Sequence, residues 1–379
     1  MRARKGIVAL AAIATLGLAL TGCGGKTDTS KDAEDTDKGE ETTADAGEVS
    51  IGVALPQKTS QNWVEAEEMF KADCAETGAD CIIQFANGGV SEQQNQISSM
   101  IENGVDVLII GAIDGSQLGS QLAQAKAAGI PIIAYDRLLT NTEDVDYYIA
   151  YDNFQVGQLQ ATALLQGLEE SGATEPYTIE LFAGSPDDAN SLKFFDGAMD
   201  VLQPAIDEGT VEVGSGQVDF AQVVTQGWEA KNAQNRMAAI LTANYPGDEM
   251  PDGVLSPNDN LARAIITAHE QGGKDNPVVT GQDSEDESVV WVTEGRQYST
   301  IYKDTRALVE DSVKLAIAVA LGDPIPDMEG VTIDEVQYES TDGHPVTALL
   351  LTPQIVTADN VNEVYANDAH RIELVESAQ

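Results

Sequence analysis

The sequence predicts an α/β fold built as two domains of parallel sheet, and three observations carry that reading. Short apolar runs recur from Val49 onward, each followed by a stretch with helical spacing and a turn that often bears Gly. Parallel strands with crossover helices require that alternation. The first run, Val49-Ser50-Ile51-Gly52-Val53-Ala54-Leu55, is nearly continuous in apolar residues, as a strand buried on both faces should be. The runs are also more numerous than one sheet comfortably holds.

Taken in order, strands are expected at 49–55, 81–85, 105–112, 130–135, 147–151, 177–183, 211–216, 253–256, 278–281, 299–302 and 346–351. The helical patterns lie at 62–77, 91–103, 117–128, 155–168, 190–202, 228–242, 261–270, 285–294 and 305–321. No apolar run beyond the N-terminal one reaches the ~20 residues that a membrane helix needs. A hydrophobic content of 42% over 379 residues is that of a globular core.

The N-terminus has a different texture. Arg2, Arg4 and Lys5 precede an apolar segment at 7–20, and Leu20-Thr21-Gly22-Cys23 closes it. Residues 1–22 therefore read as a secretory signal removed on maturation. The Leu-Thr-Gly-Cys ending resembles a bacterial lipobox. That resemblance implies that Cys23 becomes the first mature residue and carries lipid, anchoring the protein to the cell membrane on its outer side without spanning it. Residues 23–48 are Gly, Thr, Asp, Glu, Lys and Ala with almost no large apolar side chain, so they are expected to form a flexible acidic linker.

Charge narrows the partners. With 20 Lys+Arg against 63 Asp+Glu the net charge is -43, so nucleic acid is excluded for want of clustered cations. An anionic metabolite is repelled at long range, whereas a neutral ligand is indifferent to the field. If Cys23 is lipidated, Cys74 and Cys81 remain. In an oxidising location they can pair across a helix-to-strand loop; the alternative is two buried thiols. The three His are scattered and no Cys/His cluster has ligand spacing, so neither a metal nor a cofactor is expected.

In open parallel sheets ligands bind beyond the carboxyl ends of the strands. Nearly every predicted strand ends in hydrogen-bonding side chains: Asn62 with Trp63 after the first, Asp114 after the third and Asp136-Arg137 after the fourth. Asp187, Asp188 and Asn190 follow the sixth, and Asn258-Asp259, Gln282-Asp283 and Lys303 follow later ones. Some of these are helix N-caps. Together with Trp63 and Trp228 they describe a polar cleft with aromatic walls. A sugar suits such a cleft, with hydroxyls for the polar rim and C–H faces for the indoles. Arg137, if buried, should pair with a carboxylate.

These segments resemble a known family. They are Ile51-Gly52-Val53-Ala54-Leu55-Pro56 with Trp63, Ala112-Ile113-Asp114-Gly115, Ile133-Ala134-Tyr135-Asp136-Arg137-Leu138 and Tyr151-Asp152-Asn153-Phe154-Gln155-Val156-Gly157. Further on come Ala183-Gly184-Ser185-Pro186-Asp187-Asp188, Thr280-Gly281-Gln282-Asp283 and Tyr302-Lys303-Asp304-Thr305-Arg306. Over 49–356 the chain resembles the periplasmic sugar-binding proteins of type I fold, the solute receptors of ABC importers, and within them the xylose-binding and multiple-monosaccharide-binding branch. The resemblance implies two doubly wound parallel-sheet lobes joined by a three-strand hinge, with crossings near Asn153, Asp283 and Pro324. The lobes are then 49–152 plus 284–324 and 153–283 plus 325–379, closing on the ligand by hinge motion.

By the same resemblance Trp63 and Trp228 are stacking walls. Asp136, Arg137, Asn190, Asp259 and Lys303 are hydroxyl partners, with Asp283 a further one and Asn258 able to replace Asp259. Asn62 and Asp114 join the candidates by position. Asn62 stands where the family often has a basic residue, and Ala189-Asn190 where it has two consecutive Asn, which leaves the sugar open among aldopentoses and aldohexoses such as xylose, glucose and galactose. The expected partners are that monosaccharide and an ABC permease, with the protein a monomer. Two other classes stay open: a sugar sensor reporting to a signalling partner, and a secreted glycoside hydrolase. Against the hydrolase, the acids sit beside Arg, Asn and Lys, and no Gly-x-Ser-x-Gly nucleophile signature is present.

Overall fold

A computed structural model of the chain describes residues 49–58, 60–334 and 345–379. The expected signal at 1–22, Cys23 and the expected linker at 23–48 lie outside these residues. The chain opens with β1 (Ser50–Leu55), α1 (Gln61–Thr77), β2 (Asp80–Phe85), α2 (Val90–Asn103), β3 (Val107–Ile110), α3 (Gly119–Ala128), β4 (Ile132–Tyr135) and β5 (Tyr147–Tyr151). It continues through α4 (Asn153–Glu170), β6 (Tyr177–Leu181), α5 (Ala189–Glu208), β7 (Val211–Val213), α6 (Phe220–Val223), α7 (Ala230–Asn244), β8 (Gly253–Leu255), α8 (Asp259–Gln271), β9 (Val278–Val279), α9 (Asp286–Thr293) and β10 (Ser299–Tyr302). The remaining elements are α10 (Thr305–Leu321), β11 (Val331–Asp334), β12 (Thr347–Leu351), β13 (Gln354–Thr357), α11 (Val361–Val364) and α12 (Ala369–Ala378).

The first lobe is a seven-stranded sheet in the order β11-β12-β5-β4-β3-β1-β2, parallel except where edge strand β11 runs against β12. In β1, Ile51, Val53 and Leu55 pack with Phe70 of α1 and Val313 of α10, while Ala54 packs with Ile97 of α2 and Leu122 of α3. Both faces are therefore covered by helices, which is why the run reads as continuously apolar. The second lobe holds the parallel sheet β7-β6-β8-β9 and, beside it, the antiparallel pair β10-β13. Cys74 at the end of α1 and Cys81 in β2 are joined by a disulfide.

Each expected strand run contains a strand, but the division into lobes differs from the expectation. The chain leaves the first sheet after Tyr151, returns at Lys303-Asp304 between β10 and α10, and crosses again at Thr352-Pro353 between β12 and β13. The crossings expected at Asp283 and Pro324 are thus displaced. Residues 284–302 belong to the second lobe, because α9 packs on α12 and β10 pairs with β13. Residues 325–334 and 345–351 belong to the first, because β12 hydrogen-bonds to β5 and carries β11 outside it. Helix α10 packs on α1, which closes the underside of the first sheet.

Among the described residues no helix is long and apolar enough to cross a membrane, and no group of three or more His, Cys, Asp and Glu is placed to hold a metal ion. His269 on α8 is wholly buried. Burial, helped by Lys274, holds its imidazole down at about 4, against an ordinary 6.5. The folded state therefore requires the neutral ring, and the unfolded chain binds the proton first. Stability is complete above the unfolded value and is lost as pH falls from about 6.5 towards 4, by up to about 3 kcal/mol. Urea unfolding across that window should show the loss, and His269→Leu should flatten it.

Candidate functional site

A cavity lies between the lobes. The first lobe lines it with Ser60, Asn62 and Trp63 at the start of α1 and with Asp136 and Arg137 after β4. The second lobe supplies Asp188, Asn190 and Phe194 from the start of α5, Trp228, Asn258, and Gln282-Asp283 after β9, with Lys303 on a crossing. All these positions follow the carboxyl ends of strands, where the backbone turns outward and helix N-termini converge.

Two indoles form walls. Trp63 packs edge-on to Tyr135 with ring centroids 6.1 Å apart, and the Arg137 guanidinium lies 5.2 Å over its ring. Trp228 ends a 3-10 turn at Gln226–Trp228 with φ +55°, a region that costs a bulky residue about 1–2 kcal/mol. Its Nε1 donates to Asp188 Oδ2 at 3.1 Å, and Phe194 meets it edge-on at 6.4 Å. Gly184 makes room for the ring: a Cβ there would stand 2.1 Å from Trp228 Cη2. Asp136 (φ +59°) and Asp283 (φ +94°) are also left-handed. Such backbone strain concentrates at functional sites.

Two ion pairs sit in the cleft. Arg137 Nε meets Asp188 Oδ2 at 2.9 Å, and its Nη1 donates to the Ala112 carbonyl at 3.0 Å. This supplies the carboxylate that the sequence reading required for Arg137. Lys303 Nζ meets Asp283 Oδ1 at 2.8 Å. Burial alone would lower the Lys303 pKa; the carboxylates of Asp283, Asp136 and Asp188 outweigh it and raise it. Burial raises the Asp136 pKa in turn, with Lys303 and Arg137 pulling the other way. The Asp136 carbonyl accepts from Tyr148 Oη at 2.8 Å and from Asn190 Nδ2 at 2.9 Å, another link between the lobes. Asn62 Oδ1 and Gln282 Oε1 are buried acceptors without a protein donor, suited to ligand hydroxyls.

The structure gathers Asn62, Trp63, Asp136, Arg137, Asn190, Trp228, Asn258, Asp283 and Lys303 around one cavity. Two candidates lie elsewhere. Asp114 caps its own 3-10 turn, Gly115–Gln117, accepting from the Ser116 N–H at 2.9 Å and from the Gln117 side chain. Burial works against that carboxylate, but the Ser116 and Gln117 donors lower its pKa overall. Asp259 is turned beneath the cavity. It accepts from the Glu285 N–H at 3.0 Å, Thr300 Oγ1 at 2.9 Å and Gln297 Nε2 at 2.8 Å. Burial, with Glu285 nearby, pushes its pKa up to about 8. Its neighbour Asn258, which caps α8 through Leu261 N, takes the place at the rim. Sequence reasoning missed Ser60 and Phe194 as lining residues, while Asp188 and Gln282, placed in the polar rim by their position after strands, were not among the expected ligand partners. Phe194 stands four residues after Asn190, one helical turn on, a spacing that puts it on the same face.

A family model described as a periplasmic binding protein domain matches residues 51–324. The multiple sugar-binding periplasmic receptor ChvE of Rhizobium radiobacter is 40% identical over 328 residues, covering 85% of this chain and 90% of that protein. The D-xylose-binding periplasmic protein of Escherichia coli is 33% identical over 327 residues, covering 86% and 92%. Among solved structures, an ABC transporter solute-binding protein from Clostridium phytofermentans with bound β-D-glucose superposes with a TM-score of 0.79 at 37% identity, covering 85% of this chain and 98% of that one. A carbohydrate transporter solute-binding protein from Chloroflexus aurantiacus in complex with D-glucose gives 0.75 at 30% identity, covering 84% and 96%. These relatives are receptors and binding proteins, not enzymes.

Proposed function

Because the chain belongs to the periplasmic binding protein family, we propose that it is an extracytoplasmic, lipid-anchored receptor that captures a neutral monosaccharide and hands it to an ABC import permease. The observation that carries the sugar reading is the composition of the cavity. Both cations already have a carboxylate partner, Arg137 in Asp188 and Lys303 in Asp283. The remaining acid, Asp136, has no ion pair of its own among the described residues. An anionic ligand would therefore find no free cation, and the balance suits a neutral, hydroxyl-bearing one. What remains for a ligand is two indole faces and a ring of oxygen and nitrogen atoms. An aldopentose or aldohexose pyranose matches both, with C–H faces for Trp63 and Trp228 and hydroxyls for Asn62, Asp136, Arg137, Asn190, Asn258, Asp283 and Lys303. Relatives that bind glucose or xylose at this identity support the same ligand class.

Tryptophan fluorescence titrated with xylose, glucose, galactose and arabinose tests this reading. Saturable quenching or enhancement is expected with at least one aldose. Trp228→Ala should weaken that sugar about 10-fold or more through the loss of stacking area; unchanged affinity in both Trp63→Ala and Trp228→Ala would remove the indoles from the site. The anchor is tested separately. Mass spectrometry of the mature protein should find a diacylglyceryl group on Cys23, and Cys23→Ala should release the protein from the membrane fraction.

A further inference from the structure

Two helix N-termini face each other across the lobes, and neither is capped by its own flanking residue. Helix α1 begins at Gln61, and Ser60 before it makes no side-chain capping bond. Helix α9 begins at Asp286, and Glu285 before it makes none either. Free N–H groups at a helix start need an acceptor. Here each helix receives one from the opposite lobe. The Gln61 N–H donates to Glu285 Oε1 at 2.9 Å, and the Asp286 N–H donates to Gln61 Oε1 at 3.1 Å.

The arrangement is built from buried, prearranged groups. Glu285 is 2% exposed, and Arg263 of α8, in its own lobe, holds its second oxygen. The carboxylate therefore waits in place for the positive N-terminal end of α1. Alongside, Gln61 Nε2 donates to Glu65 Oε1 at 2.7 Å, and Arg371 of α12 donates across to Glu65 Oε2 at 3.2 Å. Gln61, Glu65 and Glu285 do not line the cavity.

We propose that this reciprocal capping is a latch that sets ligand affinity, with Gln61 and Glu285 as positioning residues that hold the lobes closed without touching the ligand. Parting the lobes strips both helix starts of their acceptors, so closure regains two hydrogen bonds at once. A ligand enclosed by closure inherits that gain, since its apparent affinity scales with the population of the closed form. The proposal rests on the reading that this cavity takes a sugar when the lobes close.

Gln61→Pro removes both caps and leaves α1 intact. Proline is at home in the first helical position, and Ser60 already has the extended conformation (φ -124°, ψ 152°) that a residue before proline prefers. Gln61→Ala removes the side-chain acceptor for the Asp286 N–H, together with the Nε2 bond to Glu65 within α1, and keeps the backbone N–H that meets Glu285. Sugar affinity by calorimetry should fall about 5-fold in Gln61→Ala and about 30-fold in Gln61→Pro, through faster release. Far-UV circular dichroism should stay unchanged. Spin labels on one exposed site of each lobe should report a longer interlobe distance, or a smaller closed fraction, in Gln61→Pro than in the wild type. Wild-type affinity together with the wild-type distance distribution in Gln61→Pro would overturn the latch. If the wild type itself binds no saccharide, the sugar reading falls. The ligand-free distance distributions then decide the latch alone, and identical ones overturn it.

Discussion

Arg137→Met should weaken sugar binding by about 100-fold while leaving the fold in place. The guanidinium is the charged strut between the lobes. It meets Asp188 Oδ2 at 2.9 Å, anchors to the Ala112 carbonyl at 3.0 Å and lies over the Trp63 ring. Asp188 is 5% exposed, and the oxygen that meets Arg137 also accepts from the Trp228 indole. Removing one partner of a buried pair costs about 3–5 kcal/mol, because the other charge is left uncompensated. That cost falls on the closed form, where the two lobes meet, and so it appears mainly in affinity. Calorimetry on the variant checks it, with thermal unfolding of the ligand-free protein as control. Affinity within a few-fold of wild type would mean that Asp188 has another cation or stays solvated.

The largest effect on stability is expected from Gly157→Ala. Helices α4 and α5 touch backbone to backbone at Gly157 and Gly197. A Cβ on Gly157 would stand 2.0 Å from the Phe194 carbonyl oxygen, and one on Gly197 would stand 2.0 Å from the Phe154 carbonyl oxygen. Backbone cannot swing aside as a side chain can, so α5 must move bodily. We expect a loss of about 3 kcal/mol or more in denaturant unfolding of the second lobe. Because α5 carries Asp188, Asn190 and Phe194 into the cavity, affinity should fall in the same variant. A variant with wild-type stability would show that the two helices part without cost.

The strands were legible in the sequence because burial on both faces of a parallel sheet leaves an unbroken apolar run, as in Ile51–Leu55 and Ile130–Tyr135. Their partners were not. Strand β10 joins β13, more than fifty residues later, in a short antiparallel pair, and periodicity does not encode which sheet a strand enters. That is why the second and third crossings were expected at Asp283 and Pro324 and lie instead at Lys303-Asp304 and Thr352-Pro353. The exposed edge strand β11 was likewise silent, with Thr332 and Ile333 both facing solvent.

The site was legible to the extent that polar residues after strands are either ligand contacts or caps, and the two cannot be told apart by type. Asp114 is a cap only. Asp188 is both a cap for α5, through Asn190 N at 3.0 Å, and the counter-ion of Arg137. Asn258 and Asp259 are adjacent, yet the turn into α8 leaves one at the rim and sends the other under the floor. The cross-lobe caps at Gln61 and Glu285 had no sequence signal at all, since each looks like an ordinary helix start until the opposite lobe is in place.

A crystal structure of the protein with a saturating aldose that binds in solution tests the central claim most directly. The expected result is one pyranose ring between Trp63 and Trp228, its hydroxyls within hydrogen-bond distance of Asp136, Arg137, Asn190 and Lys303, and the Arg137–Asp188 pair intact beside it. Sugar density anywhere else, or a cleft left vacant at saturation, would contradict it.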